Sequence, residues 1–212
     1  MKTLDFYYDF GSPNVYLAWK ALSSVEGLTL DLKPALIGGI FKSANNQPPW
    51  QAFAGVPAKM QYMMAEIRRF ASLYGLIDFR MNPHFPVNTL LAMRTAMVAH
   101  EDSVVDRFFP AVQTAMWETG RDIAKPDILA AVLDEAGLPG HAMVDRTQDA
   151  AIKQALMEAT QAAVARGLFG LPTWFDPAGE MYFGKENCWM FGAEPLTLPE
   201  SLPQTSLATS PS

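Results

Sequence analysis

Apolar positions recur with two different periods along the chain, and the change of period marks its organisation. Residues 4–9 form an aromatic-rich run bounded by Gly11, which predicts a strand. Ser12 and Pro13 predict a helix start. Ser12 stands as N-cap, and Pro13 sits in the first turn, where its missing N–H is not needed. Tyr16, Leu17, Trp19, Leu22 and Val25 make an apolar stripe at helical spacing that stops at Gly27. Residues 28–32 alternate and predict a second strand, so the chain opens with a β-α-β unit, normally right-handed and parallel. From about residue 40 to 165 the strand signal disappears. Gly38-Gly39 and Gln47-Pro48-Pro49 predict a loop region, and helical spacing then covers 58–74, 88–100, 103–118, 126–136 and 145–166. Asn88 is the expected cap of the second of these helices. Residues 172–175 and 180–183 predict short strands around the turn Asp176-Pro177-Ala178-Gly179. A short helix is expected after Gly184, and the Pro-, Ser- and Thr-rich tail from about residue 194 is expected to be loose.

Composition narrows the chemistry. With 212 residues, half of them hydrophobic, the chain can bury a core as one domain or two small ones. A net charge of −6 argues against a general nucleic-acid or anionic-membrane partner. A single cysteine, Cys188, excludes an intramolecular disulfide and a C-x-x-C pair, and reads as a buried residue. His84, His100 and His141 are scattered, so no metal site is expected. Neither a leader peptide nor an 18-residue apolar span is found, and the cytoplasm is the expected location.

Two segments carry candidate chemistry. In Asp9-Phe10-Gly11-Ser12-Pro13 a strand, a tight turn and a helix start converge, which makes a place for an anion. In Gly170-Leu171-Pro172-Thr173-Trp174-Phe175 a proline stands before a strand-like run, which marks an edge or a cis turn. No Asp-His pair and no Gly-x-Ser-x-Gly accompanies Ser12, so it reads as a hydrogen-bond donor and not as a nucleophile. Taken alone, Lys42 and Lys59 are solvated lysines and Asn46 is a turn residue. Tyr62 and the stripe Met60, Met63 and Met64 read as core, and Arg68-Arg69 as an exposed face.

Further segments join these two: Gly38-Gly39-Ile40-Phe41-Lys42, Asn46-Gln47-Pro48-Pro49, Pro57-Ala58-Lys59 with Tyr62, Phe85-Pro86-Val87-Asn88-Thr89 and Phe183-Gly184. In this order the set resembles the kappa-class glutathione transferases and, more closely, the 2-hydroxychromene-2-carboxylate isomerase family of the thioredoxin superfamily. The resemblance spans roughly residues 4 to 187. It implies an α/β fold: a thioredoxin-like domain from residues 1–40 and 141–193, an inserted helical domain over 41–140, and a loose tail over 194–212.

The resemblance also implies roles. Glutathione is the expected cofactor, with Ser12 hydrogen-bonding its sulfur and favouring the thiolate. The backbone of Leu171, before a cis Pro172, pairs with the cysteinyl main chain. Glu186 and Asn187 receive the γ-glutamyl end, where the family commonly has Asp-Arg; a neutral Asn187 cannot offer a bidentate cationic fork. Lys42, Asn46, Lys59 and Tyr62 lie in stretches that bind glutathione or substrate. The implied reaction is isomerisation of a small aromatic carboxylate by reversible thiolate addition, with rotation of the ring-opened adduct, in a homodimer. The energetics allow it. A thiol has a pKa of roughly 8.5, and lowering it by about two units needs about 2.7 kcal/mol. A helix N-terminus supplies about 0.3–2 kcal/mol and a hydroxyl donated to a charged sulfur about 1.5–3 kcal/mol. A transferase that forms stable adducts and a binding module without chemistry are the alternatives.

Overall fold

The computed structural model describes residues 2–195, so the tail expected to be loose lies, from residue 196 on, outside the described residues. β1 (Lys2–Tyr8) pairs in parallel with β2 (Leu28–Pro34), with Leu4 opposite Leu30 and Phe6 opposite Leu32. β3 (Thr173–Phe175) returns antiparallel to β1, and β4 (Met181–Phe183) antiparallel to β3, giving the order β2-β1-β3-β4. Period-2 burial places Leu4, Phe6 and Tyr8 on the inner face of β1. Phe6 and Trp174, directly opposite, stack with ring centroids 6.0 Å apart.

α1 (Pro13–Ser23) joins β1 to β2 and buries the predicted stripe, including Tyr16, Leu17 and Leu22. The residues between the two strand pairs are helical: α2 (Ile37–Ser43), α3 (Pro49–Ala52), α4 (Pro57–Leu73), α5 (Leu90–Glu101), α6 (Val105–Trp117), α7 (Pro126–Glu135), α8 (Gly140–Asp145) and α9 (Ala150–Ala165). A 3-10 helix over Lys185–Phe191 follows β4. Buried side chains from the sheet and from the helices form one continuous cluster, from Leu4 and Phe6 to Trp117 and Leu156. Among the described residues no helix is long and apolar enough to cross a membrane.

Three local expectations need correction. The Gly38-Gly39 region, expected as loop, is α2. Its glycines permit close packing, since a Cβ at Gly39 would come within 2.9 Å of the Thr160 methyl on α9. The Thr160 hydroxyl in turn accepts the Leu36 N–H at 3.0 Å. The helix expected over 145–166 is two helices, because Arg146–Gln148 tightens into a 3-10 turn and Asp149 is extended. Thr89, not Asn88, occupies the N-cap position of α5, although the Asn88 side chain still accepts the Leu90 N–H at 3.0 Å.

Candidate active site at Ser12

Ser12 ends the turn after β1 and heads α1, yet its hydroxyl makes no capping bond within the helix. It donates instead to the Leu171 carbonyl at 3.1 Å. The Leu171-Pro172 bond is cis, as the segment predicts. The Gly184 N–H donates to the Pro172 carbonyl at 3.0 Å, which ties the end of β4 to the same loop. Ser12 is only 6% exposed, and what remains accessible opens into a cavity of about 710 Å³.

That cavity is built from six stretches. They are the Gly11–Asn14 turn, α2 with the loop into α3, one face of α4, residues from Met81 and 85–90 around a second cis bond at Phe85-Pro86, the segment 169–172, and Phe183, Gly184 and Glu186. Its walls are apolar: Phe41, Trp50, Phe53 and Phe85 on one side, Met60, Met63, Met64 and Ile67 on another. Trp50 and Phe85 meet edge to face at 5.3 Å, and Phe169 and Phe183 pack at 4.5 Å beside the Leu171 loop. The Met stripe expected as core is therefore a cavity wall, a use that suits flexible, polarisable side chains. Among the described residues lining this space, Glu186 is the sole charged side chain.

The predicted site residues divide accordingly. Ser12, Leu171, Pro172, Glu186 and Asn46 meet at the cavity. Asn46 is held by its own bonds: its amide donates to the Phe169 carbonyl at 2.8 Å and its oxygen accepts the Gln47 N–H at 2.8 Å. Lys42, Lys59 and Tyr62 do not line it. A helix turns by about 100° per residue. The face of α4 that turns Met60, Met63 and Met64 inward therefore leaves Tyr62 60% exposed, while the Lys59 ammonium sits 3.5 Å above the Phe53 ring. Asn187 also points elsewhere, its amide donating to the Phe183 carbonyl at 2.6 Å.

Electrostatics around the site contain features that sequence reading missed. Lys185 is buried and bonded to Glu66 of α4 at 2.5 Å and to Glu186 at 2.6 Å. Gly184 has φ of 88°, a conformation that favours glycine. Asp9 is fully buried. Burial pushes its carboxyl above the ordinary carboxylate value, against the lowering effect of the Ile37 and Gly11 amides and the Thr89 hydroxyl. The Asp-x-Gly pattern of the turn is the signal that could have found this. Cys188 is buried 3.9 Å from the Ala18 carbonyl, and burial pushes its thiol up, away from thiolate chemistry.

Comparison with known proteins agrees with this fold. The model of the DSBA-like thioredoxin domain matches residues 3–194. Glutathione S-transferase kappa 1 of Rattus norvegicus is 30% identical over 202 residues, covering 88% of this chain and 87% of its own. 2-Hydroxychromene-2-carboxylate isomerase of Sphingobium xenophagum is 27% identical over 179 residues, covering 82% of this chain and 88% of its own. A solved structure of a selenomethionine 2-hydroxychromene-2-carboxylate isomerase superposes with a TM-score of 0.78 at 25% identity, over 90% of this chain and 92% of that one. With its parallel β1–β2 pair and its antiparallel β3–β4 return, the chain belongs to the family of DSBA-like thioredoxin domains and is similar to kappa-class glutathione transferases and 2-hydroxychromene-2-carboxylate isomerases.

Proposed function

We propose that this chain is a glutathione-dependent enzyme acting on a flat aromatic electrophile held in the cavity beside Ser12. The observation that carries the reading is the Ser12–Leu171 hydrogen bond at the edge of a large apolar space. The residues present fit glutathione. The Leu171 carbonyl faces the place where a cysteinyl N–H would lie, Ser12 supplies an O–H for sulfur, and Glu186 offers a carboxylate at the far end for the γ-glutamyl ammonium. Bound there, glutathione supplies a thiol nucleophile. The chain's own part is to orient that sulfur, to favour its ionised form through Ser12 and the start of α1, and to exclude water with aromatic and methionine walls.

Reversible addition and departure of the thiol makes an isomerase, and an aromatic carboxylate of the 2-hydroxychromene-2-carboxylate type remains the favoured substrate class. Its carboxylate would be received by neutral donors such as Asn14 and Asn88, with Lys42 and Lys59 acting at most from outside the cavity. A second reading, transfer of glutathione to an uncharged electrophile, is favoured by one observation: no lysine, arginine or histidine is among the described residues that line the cavity. In either reading the protein works in the cytoplasm, where glutathione is abundant, as a homodimer without nucleic acid or membrane. The test is an assay of chromene carboxylates and neutral aromatic electrophiles with free thiol counted throughout. Isomerisation at constant thiol supports the first reading and stoichiometric thiol loss the second. Glutathione binding by calorimetry with neither reaction would overturn both.

A further inference from the structure

Three segments that wall the cavity come from distant parts of the chain: the Gly11–Ser12 turn, the start of α2 at Ile37, and the start of α5 at Thr89. One side chain touches all three. The two Asp9 oxygens accept the Gly11 N–H at 2.8 Å and the Ile37 N–H at 2.8 Å, and the Thr89 hydroxyl stands near enough to favour the ionised carboxylate. Asp9 itself is fully buried and does not line the cavity. We propose that Asp9 is a positioning residue for the Ser12 site, its carboxylate joining these three walls so that Ser12 is held at a fixed distance from the Leu171 loop. The inference rests on the reading of Ser12 and Leu171 as the thiol site.

The residue type follows from the donors. Two backbone donors bond one buried side chain, one on each oxygen, with the Thr89 hydroxyl beside them, and all of these groups are neutral. An ionised carboxylate is acceptor-only and serves them all, whereas an asparagine there has one acceptor oxygen and turns an N–H against an N–H. Removing one partner of a buried hydrogen bond costs more than the bond itself contributes. The packing is equally demanding. A Cβ at Gly11 would lie 3.3 Å from both the Asp9 carboxylate and the Thr89 methyl, so the turn closes on Thr89 through a glycine. Charge alone cannot be the purpose of Asp9. A negative group near a thiolate raises the thiol's pKa, which opposes the chemistry assigned to Ser12.

That opposition supplies the test. In Asp9→Asn, loss of charge alone would move the titration of the bound glutathione thiol, read by ultraviolet thiolate absorbance, to lower pH. Loss of positioning moves it to higher pH, because Ser12 is no longer aimed. The expected result is a shift to higher pH with a glutathione dissociation constant, by calorimetry, raised about tenfold or more. Thr89→Val removes the hydroxyl that stands beside the carboxylate and should raise the constant about threefold. Wild-type affinity in both variants, or a shift to lower pH in Asp9→Asn, overturns the proposal. If Asp9→Asn fails to fold, Thr89→Val and Gly11→Ala decide on the same two readouts. Amide hydrogen exchange separates this inference from the reading beneath it. Joint loss of protection at the Gly11, Ile37 and Leu90 amides in Asp9→Asn supports the three-wall role even if the wild type binds no glutathione, and a change confined to the Gly11 turn refutes it.

Discussion

The Ser12 hydroxyl and the Leu171 carbonyl, 159 positions apart in the chain, are hydrogen-bonded at 3.1 Å. A serine has one proton to give. To donate to a sulfur, Ser12 must release Leu171, and the freed carbonyl is then the acceptor that a cysteinyl N–H requires. On the proposed reading, the two partners of the resting bond would become the two binding groups for the thiol, at a cost of about 0.5–1.5 kcal/mol for the bond given up.

Ser12→Ala should therefore act on chemistry more than on assembly. The Leu171 carbonyl loses one neutral donor, while the sulfur loses a donor worth about 1.5–3 kcal/mol to a charged acceptor. The rate at saturating glutathione should fall about tenfold or more. The ultraviolet thiolate signal should titrate at higher pH. An unchanged titration curve would remove Ser12 from the mechanism.

The elements that produce this contact were legible in the sequence. The strand before Ser12, the stripe of α1 and the proline before β3 are local patterns, and each formed where its residues imply. What was not legible depends on contacts between distant segments. α2 forms across Gly38-Gly39 because Asp9, 28 positions away, accepts its first free N–H and because Thr160 packs where a side chain would stand. The orientation of α4 depends on which face its neighbours leave open. Local spacing therefore found the helix but did not show whether Tyr62 or Met63 would face the cavity. The burial of Lys185 depends likewise on Glu66, 119 positions away.

The apolar lining makes a prediction about specificity. Met64→Lys places an ammonium on an unbranched stem of similar shape among the wall residues. A carboxylate substrate then gains a charged donor worth about 1.5–3 kcal/mol, so its KM should fall about tenfold or more. A neutral electrophile should gain nothing. Equal effects on both classes, measured by parallel kinetics, would mean that the substrate does not approach α4.

Asp9 carries a pH dependence with a definite sign. Burial raises its carboxyl, while the Ile37 and Gly11 amides and the Thr89 hydroxyl pull it back. A carboxyl raised in the folded state contributes its full stability below the unfolded value of about 3.9 and loses it as pH rises through the folded value. Thermal midpoints of the wild type should decline over that window relative to Asp9→Asn, whose amide does not titrate. Curves that stay parallel from about pH 4 to about pH 8 would show that Asp9 is not linked to folding in this range.

The buried Lys185 sets stability against binding. Its side chain is 1% exposed and lies between Glu66, 25% exposed, and Glu186, 59% exposed. Lys185→Met removes the buried cation, and the two carboxylates it leaves behind can recover water. Breaking a fully buried pair costs about 3–5 kcal/mol, and partial exposure of both acids lowers the expected loss to about 1–3 kcal/mol in a denaturant titration. The double change Glu66→Gln with Glu186→Gln should cost more, because it leaves the ammonium buried and uncompensated. Binding should move the other way. Glu186 lines the cavity and Lys185 does not, so if Glu186 receives the γ-glutamyl ammonium as proposed, lysine and ligand compete for one carboxylate. Lys185→Met should then tighten glutathione binding while destabilising the fold, and Glu186→Gln alone should weaken it. If Lys185→Met weakens glutathione as much as Glu186→Gln does, the lysine belongs to the binding site and the competition does not exist.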